Sequence, residues 1–562
     1  MLLAKYSNEL EKDLNNISNF NNAKHSLEKG LQHLVELLGA KNVSSNLEDR
    51  LFYSRSTLSY GTMPTAIVKP ACREEVESIV KIANQYNLQI HPISTGKNWG
   101  YSDACAVKQG QILLNLSRMN RILAINENLG YITIEPGVTQ GQVYEYLKKN
   151  KIKLWVDATG AGPDTSIIGN TMDRGFGHSP LGDRFGNSCG YEVVLPTGEV
   201  INTGFGHFEN SKVTEIYKCG VGPSLDGLFT QSNLGIITKM TLWLMPAPES
   251  YEVVAFMLKD EKDISEFIDR IRPLRMNGTL KSVIHIGNDL RLISMSQSFP
   301  FEEVDGSRAL SKEKRKELAR KHGIGFWSGT AGLYGSKDQI RADLKAIKKS
   351  LKGFKGLKAF VVLNESRLFL LQKTIRLFNR FGFCKDLAVL SQKAQLAFDL
   401  LKGKSPENCV QGGLWRVKNM KNIVKNSTDP LDYQAGFYWI SPVLPMEGTH
   451  IKRMNSIVEP IFNQYGFDLQ QTISLTTERA LTSVLTISFD KKNEIESQKA
   501  RLCHDEVVKI LIKEGYIMYR AGNHSMDLLF EQSNPYCKFL QKIKSAIDPS
   551  QIVSPGKYIP EL

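Results

Sequence analysis

His91-Pro92-Ile93-Ser94-Thr95-Gly96-Lys97-Asn98-Trp99-Gly100-Tyr101 joins the end of a short apolar strand, Leu88 to Ile93, to a glycine-bearing loop. Glycine adopts positive φ and lets the backbone approach a ligand closely, so a loop of this kind turns several N–H groups toward an anion. Ordinary turn chemistry accounts for any one such loop. Glycine also clusters over Gly160 to Gly182 and over Gly220 to Gly235. Three such loops within one region of mixed strands and helices argue for one large bound anion. No GxGxxG opens a helix after the first strand and no GxxxxGK[ST] occurs, so neither the Rossmann nor the P-loop mechanism holds that anion.

Upstream of the loop, Ala66-Ile67-Val68 reads as a strand ending at Pro70. Val76, Ile79, Val80 and Ala83 follow at helical spacing, behind Glu74 and Glu75 in the first turn. Downstream, Ile112 to Leu116 and Tyr131 to Glu135 read as strands, and Thr139 to Lys149 as a helix. Met245-Pro246-Ala247-Pro248 breaks the pattern and marks a boundary. The expected organisation is a helical N-terminal segment over 1–55, a ligand-binding α+β domain over 56–248, a second α+β unit over 249–500, and a C-terminal segment over 501–562. The Lys/Arg-rich stretch Ser311 to Lys321 reads as a solvated helix face.

A chain of 562 residues is long enough for more than one core, and its 41% hydrophobic and 23% charged composition excludes bulk disorder. The formal net charge of +13 comes without a basic block interleaved with aromatics, which speaks against a nucleic-acid-binding protein. Cys72, Cys105, Cys189, Cys219, Cys384, Cys409, Cys503 and Cys537 are scattered, with no CxxC, so no metal site and no disulfide framework are expected. The first ten residues become polar too early for a signal peptide, and no run is apolar for long enough to cross a bilayer. A cytoplasmic location with no membrane partner is the expectation.

The loop quoted above, Glu135-Pro136-Gly137-Val138-Thr139 and Ile168-Gly169-Asn170-Thr171-Met172-Asp173-Arg174-Gly175 together resemble the FAD domain of the vanillyl-alcohol oxidase and p-cresol methylhydroxylase flavoproteins. So does the run from Gly222-Pro223-Ser224 to Gly235-Ile236-Ile237-Thr238-Lys239. Asp548 to Lys557 is similar to that family's last motif, and Ser441-Pro442-Val443 and Phe489-Asp490-Lys491-Lys492 extend the likeness through the middle. The resemblance implies a two-part FAD-binding domain capped by an α+β domain with an antiparallel sheet. It places Pro92, Ser94, Thr95, Gly96, Lys97, Asn98, Gly100, Pro136, Gly169, Asn170, Arg174, Gly235, Ile237 and Lys557 beside FAD.

Family members that oxidise 4-alkylphenols grip the phenol oxygen with two tyrosines and an arginine. Tyr101, Tyr519 and Arg520 match those positions. The implied reaction is hydride transfer from the para side chain to flavin through a quinone methide, with oxygen or a cytochrome as the final acceptor and a homo-oligomeric assembly. The carboxylate that serves the vanillyl-alcohol oxidases as acid/base has no clear counterpart in Trp155 to Ser166. Asp164 and Glu478 are the two candidates. The oxidase's flavin-linking histidine corresponds to Phe437, so non-covalent FAD is expected, with a tyrosyl link through Tyr438 or Tyr433 as the alternative. His178 and His207, lone in Gly-rich turns, read as structural hydrogen-bonding residues. A hydroxy-acid or sugar-alcohol oxidoreductase, with Arg520 on a carboxylate, is the competing function.

Overall fold

The computed structural model describes residues 23–379, 385–407, 411–418 and 427–561. Cys384, Cys409 and the first ten residues, on which the expectations about disulfides and a signal peptide partly rested, lie outside this range. The flavin half is built on two sheets. In the first, β1 (Val43–Ser44), β2 (Ile67–Val68), β3 (Ile90–Ile93) and β4 (Ile112–Asn115) lie in the order β1-β2-β4-β3, with β4 parallel to both its neighbours. All four residues of β4 are buried, as expected of a strand covered on both faces. The helix Arg73–Gln85 buries Val76, Ile79, Val80 and Ala83 against this sheet. The helix over 23–38 adds Leu34 and Leu38 to the same core.

The second sheet is antiparallel and contains β5 (Ile122–Asn126), β6 (Tyr131–Ile134), β8 (Ser188–Val194), β9 (Val200–Asn202) and β10 (Ile236–Trp243), in the order β5-β6-β10-β8-β9. A separate ribbon pairs β7 (Leu154–Trp155) with β11 (Met245–Pro246) and leads out of the flavin half.

The cap is a single antiparallel sheet of eight strands backed by helices. Its strands are β12 (Ser250–Leu258), β13 (Ile284–Asn288), β14 (Trp327–Gly335), β15 (Leu357–Leu363), β16 (Ala435–Ile440), β17 (Val443–Pro445), β18 (Gln470–Leu475) and β19 (Ala480–Asp490). They run β15-β12-β14-β13-β18-β19-β16, with β17 also on β19. The helices Asp263–Met276, Gly448–Tyr465 and Glu494–Lys513 fill one face. The last of these corrects the expected boundary at residue 500, which falls inside it. Cys503, Val507, Val508 and Leu511 belong to the cap core, so the cap continues to about Tyr516. The basic helix Lys312–Lys321 is solvated only in part, because Arg315 is buried against Asp289 at 2.8 Å.

After the cap the chain returns to the flavin half. The Ile90 amide donates to the Ile552 carbonyl at 2.8 Å and the Ser554 amide to the Ile90 carbonyl at 2.9 Å, so the tail extends the first sheet at β3. The buried Lys544 ammonium ties Asp548 and the carbonyls of Asn233 and Val553 together. Among the described residues no helix is long and apolar enough to cross a membrane.

Candidate active site

A cavity of about 380 Å³ lies between the flavin half and the cap sheet. Its flavin-side wall includes Pro92, Ser94, Thr95, Gly96, Lys97, Asn98, Pro136, Gly169, Asn170, Gly235, Ile237 and Lys557. The amides of Thr95, Gly96, Lys97 and Asn98 donate to no group among the described residues. Gly96 holds φ at +69°, and a Cβ at Gly169 would stand 2.3 Å from the Ser94 hydroxyl, so these two glycines bring the loop and the following helix together. Free N–H groups gathered on a concave wall are what an anionic pyrophosphate requires. The Trp99 Nε1 is likewise buried and unpartnered on this wall. The residues present therefore fit FAD.

Two expected cofactor contacts are placed elsewhere. Gly100 faces the cap: at φ +74° it lets Trp439 approach to where a Cβ would be 2.8 Å away. Arg174 is exposed and, among the described residues, reaches Thr230 and the Phe185 ring.

At one end of the cavity Tyr101, Tyr519 and Arg520 come together. Arg520 lies over the Tyr101 ring at 4.4 Å, and the Tyr519 hydroxyl interacts with both. The Tyr101 hydroxyl also meets the Ser441 hydroxyl at 2.5 Å. The Arg520 Nη2 donates to the Asn98 side-chain oxygen at 2.5 Å and to Asp173 at 3.2 Å, while its buried Nε has no partner among the described residues. Asp173 also accepts from Asn98 at 2.8 Å and from the Tyr558 hydroxyl at 3.2 Å. Burial raises both phenols above their ordinary range, and the guanidinium pulls each part of the way back. Burial opposes the charge on Arg520, but Asp173 and the phenols outweigh it and keep the guanidinium protonated.

The other end is walled by His178, Phe176 and, from the cap, His285, Thr472, Ser474, Val484 and Thr486. The imidazoles of His178 and His285 stack at 3.8 Å. His285 is fully engaged, with Nδ1 on the Ser474 hydroxyl at 2.8 Å and Nε2 facing the Gly177 carbonyl at 3.4 Å. Burial holds His285 down at about 4, and burial, His285 and Arg184 hold His178 well below the usual imidazole range. His178 is therefore not the hydrogen-bonded turn residue expected from its setting. His207 is one, bonded to the Gly204 carbonyl at 2.7 Å. The turn that presents His178 is fixed by Asp157, which accepts from the Ser179 amide and hydroxyl and from the Arg184 Nε. A Cβ at Gly177 would collide with that carboxylate at 1.7 Å.

Neither expected carboxylate base reaches the cavity. The Asp164 side chain is 60% exposed and pairs with Lys97 at 3.5 Å. Glu478 is exposed on the turn between β18 and β19. The tyrosines proposed for a flavin link are also turned elsewhere. Side chains alternate along β16, so Phe437 and Trp439 face the cavity and Tyr438 faces the cap core. There it packs on Phe489 and bonds Ser59. The Tyr433 hydroxyl donates to the Ser427 carbonyl at 2.9 Å.

Residues 64–204 match a family described as an FAD binding domain. The 1'-carboxy-chondrochloren decarboxylase of Chondromyces crocatus is 35% identical over 534 residues, spanning 95% of this chain and 97% of the relative. The 4-cresol dehydrogenase [hydroxylating] flavoprotein subunit of Pseudomonas putida is 30% identical over 533 residues, spanning 94% and 95%. The chain belongs to the vanillyl-alcohol oxidase and p-cresol methylhydroxylase family of flavoproteins. A crystal structure of p-cresol methylhydroxylase with substrate bound superposes with a TM-score of 0.84 at 29% identity, covering 96% of this chain and 97% of that one. The α+β fold with its antiparallel cap is that family's fold, the cofactor is FAD, and the chain is an FAD-dependent oxidoreductase.

Proposed function

We propose that this enzyme oxidises the side chain para to the hydroxyl of a 4-substituted phenol. The observation that carries this reading is the meeting of Tyr101, Tyr519 and Arg520 on one cavity wall, with a buried guanidinium N–H left unengaged. Two phenolic donors and a permanent positive charge stabilise a phenolate far more than a neutral phenol, and so lower the substrate's pKa. The ionised oxygen pushes electron density through the ring and makes the para benzylic C–H a hydride donor. Bound FAD supplies the two-electron acceptor.

The chain's residues orient and exclude. The amides of Thr95 to Asn98, with Gly169, Asn170 and Gly235, would hold the cofactor. Trp439 and Phe176 line the cavity where a substrate ring would lie, and Asp173 with Asn98 fixes the guanidinium. Hydride loss leaves a quinone methide; water addition gives a 4-hydroxybenzylic alcohol, which a second oxidation takes to the carbonyl. The final acceptor is oxygen or an external carrier such as a cytochrome, and the +13 net charge suits an acidic carrier.

Oxidative decarboxylation is a second reading, favoured by the name of the Chondromyces relative and by Arg291 on the cap side of the cavity. In a phenol with a carboxylate one carbon beyond the benzylic position, the same hydride loss lets CO₂ leave. The electron pair of the broken C–C bond then restores the phenolate and gives a 4-vinylphenol.

Anaerobic bleaching of the flavin by 4-ethylphenol, 4-hydroxybenzyl alcohol, 3-(4-hydroxyphenyl)propionate and D-lactate tests these readings. Bleaching by the phenols is expected, and CO₂ release from the propionate selects the second reading. Bleaching by D-lactate alone overturns both and returns Arg520 to the role of a carboxylate binder.

A further inference from the structure

We propose that His178 is the base that takes the proton from water as water adds to the oxidised substrate. The inference rests on the phenol reading above and assigns the residue that reading lacks. Water addition to a quinone methide forms a C–O bond at the former benzylic carbon and breaks one O–H bond of water. The released proton needs an acceptor, and the electron pair withdrawn from the exocyclic double bond returns to the ring as phenolate.

Elimination among the described residues that line the cavity leaves one acceptor. Asp103 is occupied by Ser56 and Thr57, and Asp173 by Asn98, Arg520 and Tyr558. The His91 Nδ1 is on the Ser554 hydroxyl at 2.9 Å, and both nitrogens of His285 are engaged. Lys97 and Lys557 are cations and accept nothing. Among the described residues His178 meets His285 through its ring face, and neither of its nitrogens has a hydrogen-bond partner there. Asp164 and Glu478, the carboxylates singled out in the sequence, are outside the cavity.

The position is fixed as well as free. Asp157, buried and held by Arg184 and Ser179, braces the turn from behind, and the Gly177 amide bonds the Gly182 carbonyl at 2.9 Å. A base held in place loses little entropy when it acts. The titratable and charged groups around it are His285 from β13, Arg184 and Asp157 behind its own turn, and Tyr519 across Phe176. Enclosure first, then His285 and Arg184, disfavour the imidazolium, so the ring is an unprotonated acceptor at neutral pH.

The test uses the flavin-loaded full-length chain and 4-ethylphenol in heavy-oxygen water. Its quinone methide either adds labelled water to give 1-(4-hydroxyphenyl)ethanol or loses a methyl proton to give 4-vinylphenol. In His178→Asn and His178→Gln the alcohol-to-vinylphenol ratio is expected to fall on the order of 10²-fold, the low end for a lost general base. Added imidazole should recover part of it in His178→Ala. In the unsubstituted enzyme the same ratio should stay constant as the pH is lowered from neutral through the ordinary imidazole range and decline only well below it, because enclosure keeps the ring unprotonated there, and this reading requires no variant to fold. A ratio unmoved by all substitutions, or, where they fail to fold, one that already falls through the ordinary imidazole range, overturns the assignment to His178. Flavin that no phenol bleaches in the unsubstituted enzyme overturns the phenol reading instead, and this proposal with it.

Discussion

At the Arg520 end of the cavity the charges are tied to one another: Asp173 accepts from Asn98, Arg520 and Tyr558, and the guanidinium sits over Tyr101. At the His178 end two unprotonated imidazoles stack, and the nearest carboxylate, Asp157, is turned behind Gly177 toward Arg184 and Ser179. On the phenol reading, a fixed positive charge at Arg520 and neutral, polarisable groups around His178 would polarise a phenol bound between them. That arrangement would hold the phenolate charge beside the guanidinium.

The largest expected effect comes from breaking the charged end. Arg520→Met removes a guanidinium from a buried ion pair and leaves Asp173 uncompensated. Flavin bleaching by 4-alkylphenols should slow on the order of 10²- to 10³-fold, the scale of losing one preorganised electrostatic stabiliser. Stopped-flow absorbance measures it, and a rate within a few-fold of the unsubstituted enzyme removes the comparison altogether.

Tyr519→Phe sharpens the comparison by removing one donor while sparing the charge. A loss of roughly ten- to a hundred-fold is expected for one hydrogen bond to a charged group. The variant's rate should then climb with pH toward the ordinary phenol pKa of about 10, because the substrate must ionise with less help. A pH-independent deficit would place Tyr519 in packing alone.

How much of this contrast the sequence disclosed depended on whether a residue's role is local. The Ser94 to Asn98 loop was legible because glycine and strand-end spacing act within ten residues. Tyr101, Tyr519 and Arg520 were legible only through family likeness, since 418 residues separate Tyr101 from Tyr519 and no periodicity spans that gap. His178 was misread because its exposure to the cavity depends on Asp157 packing under Gly177, and on His285 arriving from the cap. Tyr438 was misassigned because β16 is apolar on both faces, so the alternation rule gives two sets of residues without saying which faces the cavity. Asp164 and Glu478 illustrate the converse: a carboxylate near a motif in sequence says nothing about which way its turn points.

The neutral end also predicts how stability depends on pH. The folded-state pKa of His285 is depressed to about 4 by burial, so the unfolded chain binds the extra proton first as the solution is acidified. Stability should therefore be unaffected above the unfolded value of about 6.5 and fall progressively as the pH drops from there toward 4. Urea midpoints at neutral and mildly acid pH measure this. His285→Asn should flatten the dependence, and a midpoint that rises on acidification contradicts the buried, neutral pair.

The smallest effects belong to residues outside both ends. Asp164→Asn and Glu478→Gln should change turnover by less than about two-fold, as exposed carboxylates outside the cavity do. Tyr438→Phe should cost about 1 kcal/mol of stability for its lost bond to Ser59 and leave flavin retention after acid precipitation unaltered. A retention change in that variant alone would restore Tyr438 as the attachment point.

The pairing of Ile90 with Ile552 and Ser554 makes the first sheet a structure of two dates. Its central strands leave the ribosome early, whereas the residues that finish its edge, and Lys557 on the cavity wall, emerge only after the entire cap. Until they arrive one side of the nucleotide cradle is open to solvent, so a cradle closed on every side exists only once the tail has docked.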